Sequence, residues 1–167
     1  MQLMAAQLGS FHPEHTFRHE AGELAIGHVG PDHVPIRVYT PYDYSPIDGS
    51  KMFVEAIGLL ALTKQYNHQA DSLMEDNDAI VVIGHDHRHH RWPIRANSQD
   101  IIAVRNELEI ESFVAVGHSM GTLATLLALS DKQFADATEL LIQVNPPMTG
   151  NHLAYKPEDL FNMVREG

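Results

Sequence analysis

The 167 residues contain no cysteine. That excludes disulfides, thiolate zinc sites and a cysteine nucleophile, and it fits a reducing compartment. Basic residues are scarce: 11 Lys and Arg stand against 22 Asp and Glu, a formal charge of -11. So acidic a chain is repelled by DNA, RNA and anionic lipid, so no nucleic-acid partner is expected. Long apolar runs are missing too. The longest are pieces such as Ala79 to Ile83, far short of the roughly 20 residues that span a bilayer. Met1 to Ser10 carries no basic residue ahead of its apolar ones and too short an apolar run for a signal peptide. Arg165-Glu166-Gly167 matches no carboxy-terminal address. With 44% hydrophobic and 20% charged residues the composition is globular. The expectation is a single soluble, cytoplasmic domain over residues 1–167.

Turn formers punctuate the first half: Gly22, Gly27, Gly30-Pro31-Asp32, Pro41, Pro46 and Asp48-Gly49. Val34, Ile36 and Val38 alternate with Pro35, Arg37 and Tyr39, the period of a half-buried strand, and Glu23 to Val29 is its partner across the turn. Met52 to Ile57 reads as a buried strand. The alternative is a helix beginning near Lys51, a reading that Gly58 interrupts. Thr63 then caps a helix that puts Tyr66, Ala70, Leu73 and Met74 on one face.

Three β-branched-rich runs follow, Ala79 to Ile83, Phe113 to Val116 and Leu140 to Val144. None alternates cleanly, which suits strands covered on both faces of a parallel sheet. Between the first two, Asn97 can cap a helix with Asp100 three residues on, and Ile101, Val104 and Leu108 form its stripe. Gly121 to Ser130 is nearly all apolar, the mark of a buried helix. Strand and helix alternating at this spacing predict right-handed crossovers in an α/β fold, a mainly parallel sheet with helices on both faces.

Gly117-His118-Ser119-Met120-Gly121 has the form G-x-S-x-G. Five residues alone are weak evidence, but this pattern follows a predicted strand directly and opens a predicted helix. Such a strand–turn–helix holds a serine in a strained conformation, with glycines where side chains do not fit. Ser119 then stands at the carboxyl end of the sheet. The amide of Met120 points to where an oxyanion forms, aided by the helix dipole. The plainer reading is a tight turn whose small residues serve packing alone. His118 is expected to shape the turn rather than act as base, since adjacent residues there point apart.

His85-Asp86-His87-Arg88-His89-His90 is the densest cluster of metal-ligating residue types. Successive loop side chains rarely converge tetrahedrally, and Arg88 and Arg91 oppose a cation. No metal and no cofactor are therefore expected. One of these imidazoles near Ser119 would be an unorthodox base.

Phe113-Val-Ala-Val-Gly-His-Ser-Met-Gly-Thr-Leu-Ala-Thr-Leu-Leu-Ala-Leu resembles the nucleophile-elbow segment of the α/β-hydrolase superfamily, esterase and lipase type. Ala79-Ile-Val-Val-Ile-Gly-His-Asp-His-Arg is similar to its fourth strand and following loop, and Leu141-Ile-Gln-Val-Asn-Pro to its sixth strand. The likeness implies a serine hydrolase acting on small acyl substrates. Ser119 would be its nucleophile, and Met120 with Gly58 its oxyanion hole. Relatives have His-Gly where this chain reads Glu55-Ala-Ile-Gly58, so the glycine is kept and the histidine is not.

The family order is serine, acid, histidine. After Ser119 the chain has Asp131 and Asp136, expected at the end of the elbow helix or in the loop after it and not after a strand, then Glu139, Glu158, Asp159 and Glu166, but a single histidine, His152, which is the implied base. The resemblance covers the amino-terminal two-thirds of such a hydrolase, with residues 148–167 matching the start of a cap or lid. Two expectations follow, an esterase-like enzyme or a non-catalytic, partner-binding remnant. In either case an uncovered Leu140 to Val144 edge invites self-association or covering by Met148 to Glu166.

Overall fold

The structure, a computed structural model, describes residues 11–30, 33–45, 48–56, 67–84 and 94–144. Seven strands, β1 (His15–Arg18), β2 (Gly22–Val29), β3 (Val34–Pro41), β4 (Met52–Ala56), β5 (Ala79–Ile83), β6 (Phe113–His118) and β7 (Thr138–Val144), form one sheet. Their order is β1-β2-β3-β5-β4-β6-β7. The β1-β2-β3 ribbon is antiparallel and joins β5 in the same sense, while β5, β4, β6 and β7 run parallel. The fold is thus α/β, with a parallel centre and an antiparallel flank. The exchange of β4 and β5 in the order is the crossover predicted from alternating strands and helices.

Helices α1 (Asn67–Glu75), α2 (Ile94–Glu107), α3 (Met120–Ala128) and α4 (Lys132–Ala137) cover both faces. One face buries the larger core, with Ile36, Val81, Ile83, Phe113 and Ala115 against Ile94, Ile101, Val104, Ala124 and Phe134. The Phe113 and Phe134 rings meet edge to face at 5.0 Å and fasten α4 to β6. Such a contact adds about 0.5–1.5 kcal/mol to the burial itself. The opposite face has a smaller core, where Ala70 and Met74 of α1 meet Leu24, Tyr39, Ile80 and Val82. All five residues of β5 are inaccessible, as expected of a strand buried on both sides.

Three expectations need correction. Asn97 does not cap α2. The helix begins at Ile94, and Asn97 is buried inside it, its Nδ2 without a hydrogen-bond partner among the described residues. Ile94 lies seven residues before Ile101, so the apolar stripe runs two turns further back and draws the helix start with it. Asp131 and Asp136 belong to a separate element, because Asp131 caps α4 by accepting from the Phe134 amide at 2.9 Å. Finally, among the described residues β7 is not covered on both faces. Leu141 packs on the larger core, but Leu140, Ile142 and Val144 are exposed. On their face the main contacts of α1 are with β3 and β5. Thr63, Tyr66 and residues 148–167 lie outside the described residues.

Candidate active site

The corner between β6 and α3 is built as the sequence pattern requires. Ser119 has φ 52° and ψ -122°, outside every region that a residue with a Cβ favours. It is one of four described non-glycine residues with positive φ. The neighbours hold it there. Its amide donates to the Val144 carbonyl of β7 at 2.9 Å, and its carbonyl accepts from the Thr122 amide at 3.0 Å. The buried Thr122 hydroxyl donates to the Gly117 carbonyl at 2.8 Å. A strained residue persists only where its surroundings over-determine it, and these three bonds do so.

Gly117 has a separate reason to be glycine. A Cβ there would stand 2.6 Å from the Thr122 Cα and 3.0 Å from its amide nitrogen. Both are backbone atoms that cannot step aside, so α3 can start this close to β6 only if position 117 has no side chain. Gly121 is buried in the first turn of α3, and its carbonyl accepts from Thr125 Oγ1 at 2.9 Å. The Ser119 side chain makes no capping hydrogen bond. As the first residue of α3, Met120 has an amide that no preceding turn of helix can occupy. His118 is half-buried at the end of β6, in register with Val144.

β4 brings a second strand to this corner. Ala56, its last described residue, pairs with Gly117. Gly58, the expected second oxyanion donor, lies outside the described residues, as do His152 and the His85 to His90 cluster. The structure therefore brings together Gly117, His118, Ser119, Met120 and Gly121 and leaves the base and the acid open. Among the described residues no group of three or more His, Asp or Glu could hold a metal ion.

By sequence the chain matches no protein-family model and no curated protein. Solved structures do match. An epoxide hydrolase from Vigna radiata superposes with a TM-score of 0.60 at 13% identity, over 89% of this chain and 46% of that one. Epoxide hydrolase A from Mycobacterium thermoresistibile gives 0.58 at 16%, over 83% and 44%. Thermogutta terrifontis esterase 2, in its form phosphonylated by sarin, gives 0.58 at 18%, over 90% and 64%. The fold is the α/β-hydrolase fold. Across the first three matches this chain spans about half of each hydrolase, 44–46% of its length.

Within this α/β-hydrolase fold, one titratable residue next to the corner escaped the sequence reading. Glu55, in β4, is 1% exposed, between Val82 and Val116 in the sheet register. Burial pushes its carboxyl up from the ordinary 4.5 to about 7, against the opposing effect of a hydrogen bond from Gln69. Gln69 Nε2 donates to Oε2 at 3.0 Å. The signal was present in the run Met52-Phe-Val-Glu-Ala56, where a lone acid interrupts a buried strand. Such an acid is more than a solvated charge.

Proposed function

We propose that this chain is a serine hydrolase that uses Ser119 to attack carboxylic esters or related small acyl substrates. The observation supporting it is the Ser119 backbone, φ 52° and ψ -122° at the strand–helix corner. Packing alone would be served by glycine at this position, and a serine kept under strain is explained by its hydroxyl. In the reaction, Oγ adds to the carbonyl carbon as its proton passes to a base. The Met120 amide and Gly58 hold the resulting oxyanion, whose collapse expels the alcohol and leaves an acyl-enzyme for water to cleave. His152 is the proposed base, on chain order. The chain as a whole also resembles, in fold, an esterase that sarin phosphonylates.

A fluorophosphonate probe tests the reading. Wild type should be labelled covalently and Ser119→Ala should not. An unlabelled, folded wild type overturns it. The second reading, a partner-binding module without turnover, draws on the exposed Leu140, Ile142 and Val144. An unlabelled chain that associates through that edge would select it.

A further inference from the structure

Glu55 plays no part in that chemistry. Its neighbours on both sides in the sheet are valines, Val82 on β5 and Val116 on β6. From the helix side only Gln69 reaches it, and among the described residues this amide is its one hydrogen-bond partner. No charged group of the described elements acts on it. β5 has none, β6 carries His118 two residues beyond Val116, and α1 carries His68, Asp71 and Glu75. Arg37 of β3 lies by Tyr39, Asp71 lies by His19 and Tyr39, and among the described residues burial and the Gln69 hydrogen bond are what act on the Glu55 carboxyl. Here a carboxylic acid is tolerable and a carboxylate is not, because a buried unpaired charge needs water.

Among the described residues the helix above it is tied down more at one end than at the other. α1 has nine residues, too few to persist in water without the sheet. Its carboxyl end is tied down: the Asp78 amide donates to the Leu73 carbonyl at 2.8 Å, and Asn77 Nδ2 to the Asp43 carbonyl at 2.9 Å. Asp78 Oδ1 also accepts from the Lys51 amide at 2.7 Å. At its amino end the side-chain hydrogen bond to the sheet among the described residues is that of Gln69, and the core under α1 is the smaller of the two. Sub-global opening starts in elements of this kind.

We propose that Glu55 and Gln69 form a proton-operated latch: the protonated acid lets the amino-terminal turn of α1 close on β4, and its ionisation releases that turn to admit water. The sign follows from linkage. The closed state binds the proton more tightly than the open one, so the latch holds fully below pH 4.5 and is lost as pH rises to about 7. Between those values the opening equilibrium rises about tenfold per pH unit, up to roughly 300-fold, and is flat above.

Amide hydrogen exchange of the whole chain between pH 5 and 8.5, corrected for intrinsic rates, reads this directly. Protection at Asp71 to Leu73, whose amides bond the carbonyls of the first turn, should fall along that curve while Ile80 to Ile83 hold theirs. In Glu55→Gln, which keeps the shape of the neutral acid, protection of α1 should not change with pH. A flat wild-type profile overturns the latch, as does a fall that survives in Glu55→Gln or a fall shared equally by β5. Should Glu55→Gln not fold, carbon-13 titration of the wild-type Glu55 carboxyl decides: a midpoint near 7 supports the latch and one near 4.5 refutes it.

Discussion

Replacing Ser119 by glycine should make the protein more stable and inert at once. A non-glycine residue at φ 52° and ψ -122° stores about 1–3 kcal/mol of backbone strain. Glycine adopts those angles freely but adds disorder to the unfolded chain, a cost of about 0.4–1 kcal/mol. The net gain is about 0.5–2 kcal/mol, or roughly 2–6 °C in melting temperature at this chain length. Ser119→Ala is the control. It loses the same hydroxyl, which makes no capping bond in the folded state, yet keeps a Cβ and with it the strain. Urea unfolding followed by circular dichroism should therefore rank Ser119→Gly above both wild type and Ser119→Ala, with an unchanged slope. Were glycine no more stable than alanine, the corner would hold no strain, and the main support for Ser119 as nucleophile would go.

Gly117→Ala should cost about 1–3 kcal/mol or more, since the new methyl meets backbone atoms of Thr122 at 2.6 and 3.0 Å. It should also abolish fluorophosphonate labelling by pushing α3 off β6, and both are read by urea unfolding and gel fluorescence. At the sheet edge, Ile142→Lys should shift sedimentation from associated species to monomer while altering stability by no more than about 0.5 kcal/mol. A wild type that sediments as a monomer at every concentration excludes association through β7.

What the sequence made legible was local. Ser119 and Gly117 could be found because the strand, the tight turn and the apolar helix are contiguous, and the physical demand on each residue comes from its neighbours in the chain. The same holds for β5, whose run of five apolar residues had nowhere to go but a doubly covered position. The Asn97 cap failed because the local signal, an Asn before a polar run, was overridden by Ile94 reaching the larger core. The reading of β7 as covered on both faces failed for the reverse reason, whereas the expected place of Leu140 to Val144 at a sheet edge agrees with the strand order of the described residues. The strand's apolar composition matched that of β5, but composition does not say whether a strand is central or at the edge. Topology decides that, and it left Leu140, Ile142 and Val144 without a covering helix among the described residues. The base and the acid are harder still, because the order of residues along the chain constrains but does not place them.

The edge strand and the nucleophile are not independent features. The Ser119 amide is satisfied by the carbonyl of Val144, the last described residue of β7. Strain at Ser119 persists only while such bonds outweigh it, so the rigidity of the corner depends on β7 staying in register with β6. β7 is the least buried of the parallel strands, with three exposed apolar side chains in seven residues, and a strand so placed gains stability from whatever covers it. Covering β7, by another copy or by further chain, should therefore also tighten the hold on Ser119. Labelling by the fluorophosphonate would then rise with protein concentration in wild type and not in Ile142→Lys. Equal labelling of the two at all concentrations would mean that the elbow holds its geometry without help from the edge.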